Sequence, residues 1–406
     1  MTPGQMMAVG LTVIGVGLAA GNPAVVIPGM LLCMVAGVSW LWANHLLSSV
    51  SCEASLSSRR ARPGDRVDGQ LVISNDQPFP IPWLDCRLEW PSELGVGRGT
   101  LVRHHNANRS IYRNVLSLRW FEKVVRRFQV SCDRRGEFIF GPLELRAADP
   151  FGLFEGKRSF ELARHLLVYP RVVPVAVTHH ARLSPFGEKP SPSWVLDDPA
   201  YFRGTRDYSP GDPFYRIEWK ATARTGRLHT KLQDAPFATE VAVVLNVSTG
   251  EYCWEGVQAD LVERTLVVAA SVVQMLCKAG YRVGVCTNGF VRGAHGPAAV
   301  KVGAGPAHFG SCMQLLARVL LMPGTRFEPV LAAACRRLGT HTQVLVITGI
   351  LTPGLVREAE RHRAAGQKIS VLYTGTGRPG STKVPLYQVR EEGNWDELAQ
   401  ITLYQT

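Results

Sequence analysis

The sequence predicts a multidomain chain: a transmembrane helical hairpin, an antiparallel β-sandwich, and a doubly wound α/β domain. Three observations lead there. The first 44 of the 406 residues contain no Asp, Glu, Lys or Arg. From residue 48 to 170, short runs alternate apolar and polar side chains and are broken by Pro and Gly. After residue 239, continuous apolar runs alternate with segments of helical period. The expected organisation is a hairpin over 1–47, a sandwich over 48–170, an Arg-rich connector over 171–238 and the α/β domain over 239–406.

Residues 6–20 are a Gly-rich apolar run, Gly21-Asn22-Pro23 is a turn signal, and residues 24–43 are a second apolar run. Roughly 20 apolar residues cross about 30 Å of hydrocarbon. Spans are expected at about 4–21 and 24–43, the first needing local thinning of the bilayer. Pro28 is placed in the opening turn of the second span, where its missing N–H costs little. Trp40 and Trp42 fall near the exit, where indole rings favour the interface. No Lys or Arg precedes the first run, which argues against a signal peptide. The basic residues begin at Arg59, Arg60 and Arg62, so the positive-inside rule puts both termini and the soluble part in the cytoplasm. The lipid bilayer is the first expected partner, and the formal charge of +12 faces an anionic leaflet.

In the sandwich region residues 66–74 (RVDGQLVIS) and 83–90 (WLDCRLEW) alternate, and strands are also expected at 124–132 and 137–140. The pairs His104-His105 and His179-His180 are loop residues on this reading, because adjacent side chains diverge and hold no common metal. Asp149-Pro150-Phe151-Gly152 reads as a tight turn with Phe151, Leu153 and Phe154 packed beneath it. The nine cysteines are scattered, with no C-x-x-C pair, which fits a reducing compartment and buried structural thiols.

The α/β region begins with the apolar strand 240–245 and a helix over 261–278 stopped at Gly280. Strand 281–286 then leads through Asn288-Gly289, a hairpin-turn signal, into residues 290–292. Helices are expected at 312–321, 327–337 and 355–365. Strands are expected at 343–348, 368–373 and 384–389, and a short helix after Asn394.

Residues 201–231 gather Arg203, Arg206, Arg216, Lys220, Arg224, Arg227 and Lys231 around only Asp207, Asp212 and Glu218. Tyr208 and Trp219 stand among them. Guanidinium forks so placed suit carboxylates or phosphates. One reading is a recognition surface; the other is an interdomain clasp in which Trp219 fills the joint and Arg–carboxylate pairs fix orientation. The run G-x-R-x-Y-x-x-G-D-x-x-x-x-I-x-W-x-x-x-A-R fixes Gly204, Arg206, Tyr208, Gly211, Asp212, Trp219 and Arg224, with Arg216 inside it. This pattern resembles the signature of the family called domain of unknown function 58. The R-G-x-x-x-x-G-P run at 135–142 and the D-P-F-G-L-F run at 149–154 are similar to that family too. The resemblance implies a membrane-anchored bacterial protein with a von Willebrand factor A-like domain, associated with MoxR-type AAA+ ATPases. It implies no reaction.

Such domains resemble one another in a metal-ion-dependent adhesion site, with a D-x-S-x-S loop after the first strand, a Thr, and an Asp after a later strand. The matching positions here are Asn246, Ser248, Gly250, Thr348 and Gly349. Both carboxylates are replaced, and a dication without them is poorly held. No tight Mg²⁺ or Ca²⁺ site is expected unless Glu251 or Asp260 reaches inward.

No cofactor is expected. The chain has no G-x-x-x-x-G-K-[ST] phosphate cradle, and Gly375-Thr376-Gly377 runs into Pro379 and not a helix. No G-x-S-x-G elbow occurs, and Ser209 precedes a Pro. Nucleic acid is not an expected partner, since no recognition module accompanies the basic charge. The function expected is a non-enzymatic adaptor or assembly factor in the bacterial inner membrane, contacting a MoxR-like ATPase or its client. The alternative is a cell-envelope maturation enzyme using Asp212 and the Arg cluster.

Overall fold

An uncharged run must satisfy its own backbone polar groups in hydrocarbon, and a helix does so within one segment. The computed structural model forms α1 (Pro3–Ala19) and α2 (Pro23–His45) there. It describes the chain apart from residues 1–2, 46, 98–99, 104–108, 149–154, 178–201, 210–213, 215–216, 234–239, 253–254, 295, 340, 378, 390–399 and 406. The expected turn at 149–152 and both His pairs therefore lie outside the described residues. Gly21 turns the chain at φ +62°, and Asn22 Oδ1 accepts a hydrogen bond from Ala24 N at 3.0 Å. Pro23 takes the first helical position, so Pro28 lies inside α2 and not in its opening turn as expected. Its ring removes the donor that the Ala24 carbonyl would accept.

The stretch Pro23–Trp40 is long and apolar enough to cross a membrane, and Gln5–Ala19 is a shorter apolar helix. The face between α1 and α2 is built from small residues: Gly10, Gly17, Gly29, Ala36 and Ser39 are buried. Leu18, Ile27 and Met34 point outward, each more than 60% exposed. That division suits helices that pack by close backbone approach in lipid. A Cβ at Gly29 would lie 2.7 Å from Ile14 Cγ1 and 2.9 Å from Ile14 N. Gly29→Ile is therefore expected to separate the pair. The Cys33 thiol lies 3.7 Å from the Met7 carbonyl, so oxidative cross-linking of Met7→Cys to Cys33 should form in the parent chain and disappear with Gly29→Ile.

The chain divides into two units, Met1–Pro170 and Arg171–Thr406. Beyond the helices, the first unit holds an antiparallel sheet in the order β1 (Val50–Leu56), β3 (Arg66–Asn75), β8 (Lys123–Ser131) and β5 (Gly95–Val96). A second runs β11 (Glu155–Phe160), β10 (Leu143–Ala148), β4 (Ile81–Pro91), β7 (Arg109–Leu118) and β6 (Thr100–Arg103). A small third sheet joins β2 (Arg60–Ala61), β12 (Arg164–Val168) and β9 (Gly136–Phe140). Alternation sorts the faces: β3 buries every second residue from Val67 to Asn75. The two larger sheets share one core around Trp90, which is wholly buried. Its ring centroid lies 4.9 Å from Phe140, 5.5 Å from Phe128 and 5.6 Å from Tyr112. Its Nε1 donates to the Leu94 carbonyl at 2.9 Å.

One charge is buried in this unit with partners. Asp85 Oδ1 accepts from Arg113 Nε at 2.8 Å and Oδ2 from Arg87 Nε at 2.9 Å. Burial pushes the carboxyl up, but the hydrogen bonds and charges of Arg113 and Arg87 outweigh it and hold the group below its ordinary value.

In the second unit the apolar strands pair into one sheet. Its order is β13 (Val175–Val177), β24 (Ile401–Gln405), β23 (Leu386–Val389), β22 (Ile369–Tyr373), β21 (Gln343–Thr348), β16 (Glu240–Asn246), β17 (Arg282–Thr287) and β19 (Ala299–Gly303). The five strands from β23 to β17 are parallel; β19 and β24 run against their inner neighbours. Residues 241–246 of β16 are all buried, so both faces of that strand are covered. Helices α4 (Ala259–Lys278) and α5 (Pro306–Arg318) pack on β17. Helices α6 (Phe327–Arg337) and α7 (Pro353–Ala364) share a core with Val244, Val346 and Val371. From β16 the chain crosses to β17 on one side and later returns to β21 on the other. The strand order therefore reverses at β16.

Two local expectations are corrected. Gly289 starts β18 (Gly289–Val291), which pairs with β20 (Val319–Pro323) and makes no hairpin with β17. For the same reason α5 stops at Arg318, because residues 319–323 are drawn into that pairing. The short helix expected after Asn394 falls largely on residues outside the description, and Ile401–Gln405 form strand β24. The eight described cysteines are all unpaired; burial pushes the Cys312 thiol up to about 12 and Cys335 to about 11, which leaves them unreactive at neutral pH.

Candidate functional site

The Arg-rich run folds as a small ribbon with a helix laid beside it. β14 (Phe202–Asp207) pairs antiparallel with β15 (His229–Gln233), and α3 (Trp219–Thr225) packs on β15. Gly226 ends α3 at φ +72°, its N–H returning to the Thr222 carbonyl. Three bonds fix the helix entry: Glu218 N donates to the His229 carbonyl at 2.8 Å, Thr222 N to the Glu218 carbonyl at 2.9 Å, and His229 N to Thr222 Oγ1 at 3.1 Å. Ile217 bridges to Thr230, and both are buried. His229 Nδ1 lies 3.4 Å from Asp207 Oδ1, a contact without hydrogen-bond alignment, and Asp207 is exposed.

The ribbon and its helix carry exposed aromatic and basic side chains. Phe214 is 73% exposed and Trp219 66% exposed, and Leu228 is also exposed. Tyr208 and Phe214 stack obliquely, with centroids 6.0 Å apart. Arg206, Arg224 and Arg227 are exposed on the same short run. Arg206 Nη1 donates to the Asp207 carbonyl at 3.4 Å. Gly204 lies in β14, while Gly211, Asp212 and Arg216 lie outside the described residues.

The second constellation sits at the carboxyl ends of the parallel strands, where doubly wound sheets bind ligands. Of four neighbouring strands, β16 and β21 end in Asn246 and Thr348, and β17 and β22 are directly followed by Asn288 and Thr374, all four buried. The side chains of Asn288, Asn246 and Thr348 bond in series, and Thr374 Oγ1 donates to the Thr348 carbonyl. Asn246 Nδ2 donates to Thr348 Oγ1 at 3.1 Å, and Asn246 Oδ1 accepts from Ser248 N at 3.0 Å and Asn288 Nδ2 at 3.1 Å. Asn288 Oδ1 accepts from Val247 N at 2.9 Å, and Nδ2 also lies within reach of Ser248 Oγ and the Thr325 carbonyl. Thr348 Oγ1 donates to the Ile350 carbonyl at 2.6 Å, and Thr374 Oγ1 lies 2.8 Å from Thr265 Oγ1.

The rim is thus a neutral amide–hydroxyl network whose oxygens already serve protein donors. A divalent cation would have to displace those bonds, and positions 246 and 349 supply no carboxylate. Position 349 is closed as well, since a Cβ on Gly349 would lie 2.8 Å from Leu261 Cγ. At Gly250 a Cβ would lie 2.2 Å from Glu255 Oε2, so Glu255 occupies that space. Glu251 and Asp260 are exposed.

The structure therefore joins Asn246, Ser248 and Thr348 in one network and leaves Gly250 and Gly349 beside it without side chains to contribute. Sequence reasoning missed Asn288, reading it as a turn residue. It also missed Thr265 and Thr374. The available signal was position: Asn288 and Thr374 each directly follow an apolar strand of the parallel set.

Residues 204–374 match the family described as "Protein of unknown function DUF58". The Bacillus subtilis (strain 168) protein named "Uncharacterized protein YeaD" is 23% identical over 340 residues, covering 82% of this chain and 77% of that one. Among solved structures, the CARDB domain of the PF1109 protein from Pyrococcus furiosus shares 12% identity at a TM-score of 0.20, covering 29% of this chain and 91% of that one. The Bacillus subtilis sporulation control protein Spo0M shares 13% at a TM-score of 0.18, covering 30% and 49%. Likenesses of that order carry no argument about fold or function. The match, in contrast, begins at Gly204, the first residue of the Arg-rich signature, and runs through the parallel sheet to the rim residue Thr374; over that stretch the chain is similar to the DUF58 family.

Proposed function

We propose that this chain is a membrane-anchored, non-enzymatic adaptor that works through protein contacts made by the β14–α3–β15 ribbon. One observation carries the reading: Phe214 and Trp219 stand in solvent beside Arg206, Arg224 and Arg227. Exposed Trp and Arg are among the residue types that dominate the energy of protein interfaces. A MoxR-like AAA+ ATPase, or its client, is the partner class that the family resemblance favours. The α/β unit is read as a degenerate von Willebrand factor A-like domain, supported by the reversal of strand order at β16 and the neutral rim above it. The helix pair is read as a two-span anchor in the bacterial inner membrane, with the basic soluble part in the cytoplasm.

The test is co-purification. Tagged full-length protein is extracted in mild detergent from its native host, and bound proteins are identified by mass spectrometry for wild type, Arg206→Ala and Trp219→Ala. The ATPase should be enriched with wild type and depleted about tenfold or more in variants that remain folded, as expected for an interface hot spot. An ATPase absent from the wild-type sample, or retained by both variants, would sink the reading.

A further inference from the structure

The first unit carries two large apolar side chains whose exposure the reading above does not use. They lie in the turn joining β7 to β8, whose residues are Arg119, Trp120, Phe121 and Glu122. Trp120 is 66% exposed and Phe121 69% exposed. Phe121 also holds φ at +51°, alone among the described non-glycine residues, in a region that bulky side chains rarely adopt. The turn is gripped from beneath. Buried Asn75 donates through Nδ2 to the Arg119 carbonyl at 2.8 Å and the Phe79 carbonyl at 2.9 Å, and its N–H donates to the Glu122 carbonyl. Phe121 N donates to the Gln77 carbonyl, and Arg119 N to Glu122 Oε2. A scaffold thus holds two apolar rings out of the core.

Register says which way they face. Val50, the first residue of β1, pairs with Asn75 at the end of β3, and Ser74 pairs with Lys123 at the start of β8. The turn therefore projects from the same end of the sheet at which the chain arrives from α2. Ser49, whose carbonyl accepts from Asp76 N next to Asn75, lies only four residues beyond His45, the last of α2. Four residues span at most about 14 Å. That linker is itself fastened: Arg158 Nη1 donates to the carbonyls of Leu47 and Ser48 and approaches that of Val50. Arg119, Lys123, Arg126 and Arg127 are exposed on and behind the turn, against the half-buried Glu122 and the exposed Asp76.

We propose that this turn is an interfacial anchor, with Trp120 and Phe121 seated at lipid headgroup level beside the exit of α2. The proposal rests on the membrane-anchor reading of the helix pair. Aromatic rings favour that depth, and the basic residues around them suit an anionic leaflet.

Full-length protein is reconstituted into vesicles of phosphatidylcholine and phosphatidylglycerol that contain a phosphatidylcholine with a nitroxide near the headgroup end of one chain. The emission of Trp120 is taken as the difference between wild type and Trp120→Phe, which keeps an aromatic ring in the turn. That emission should fall about twofold or more with the nitroxide lipid and be unaffected by aqueous iodide, as for an indole at the interface. Quenching by iodide and not by the nitroxide, in vesicles that retain the protein through a carbonate wash, overturns the proposal alone and leaves the turn free for a protein partner. Loss of the protein in that wash overturns the anchor reading and the proposal with it.

Discussion

Trp90→Ala is expected to lower the stability of the first unit by about 3–5 kcal/mol, the range for deleting a large aromatic from a packed core. The indole contributes at the centre of both sheets, and three rings lose a neighbour at once. The Leu94 carbonyl also loses its donor in a site closed to water. A single melting temperature is poorly defined for a chain of two units. Hydrogen exchange of the β3, β4 and β8 amides is the better measurement, and it should quicken by roughly a hundredfold or more. Amides of β16 and β21 should exchange as in wild type. Equal acceleration in both sets, or none in either, would show that Trp90 is not the centre of a separate core.

Asn288→Ala is expected to cost the second unit about 3 kcal/mol, from orphaning buried groups that the amide now satisfies. Val247 N loses its acceptor, and Asn246 Oδ1 loses one of its two donors. Exchange should quicken at the carboxyl ends of β16 and β17 first, because the network joins those strands above the sheet. Adding Mg²⁺ should leave wild-type exchange unchanged, since the rim oxygens are committed to protein donors. Protection that rises with Mg²⁺ would mean a cation can displace those bonds, and the neutral-latch account would fail.

What the sequence made legible follows the range of the forces involved. α6 ends at the residues its periodicity indicated, and β21 likewise, because local apolar patterning decides both. The β18–β20 ribbon was not legible, since Val291 pairs with Val319 across strand β19 and helix α5. Nor was β13, which reads as part of a connector but pairs with Ile401–Leu403 from the far side of the unit. In the candidate site, the loss of both acidic positions could be read directly at Asn246 and Gly349. The role of Asn288 could not, because Asn-Gly after a strand is also the commonest hairpin signal. Only the order of the strands separates the two meanings. The Arg-rich run was legible by composition as a shaped basic and aromatic segment, and composition alone left recognition surface and interdomain clasp as equal readings.

The pairing of β13 with β24 also bears on the order in which the protein is assembled. Val175 pairs with Ile401, so the segment that follows the sandwich can be seated in its sheet only when β24, which also pairs with β23, is available to it. Contacts so distant along the chain carry a high loop-closure entropy and form late. The sandwich needs none of them, and it can reach its native core while the sheet is still incomplete. Until β13 is seated, β24 presents an unpaired edge, and nascent or stressed molecules are open to edge-to-edge association there.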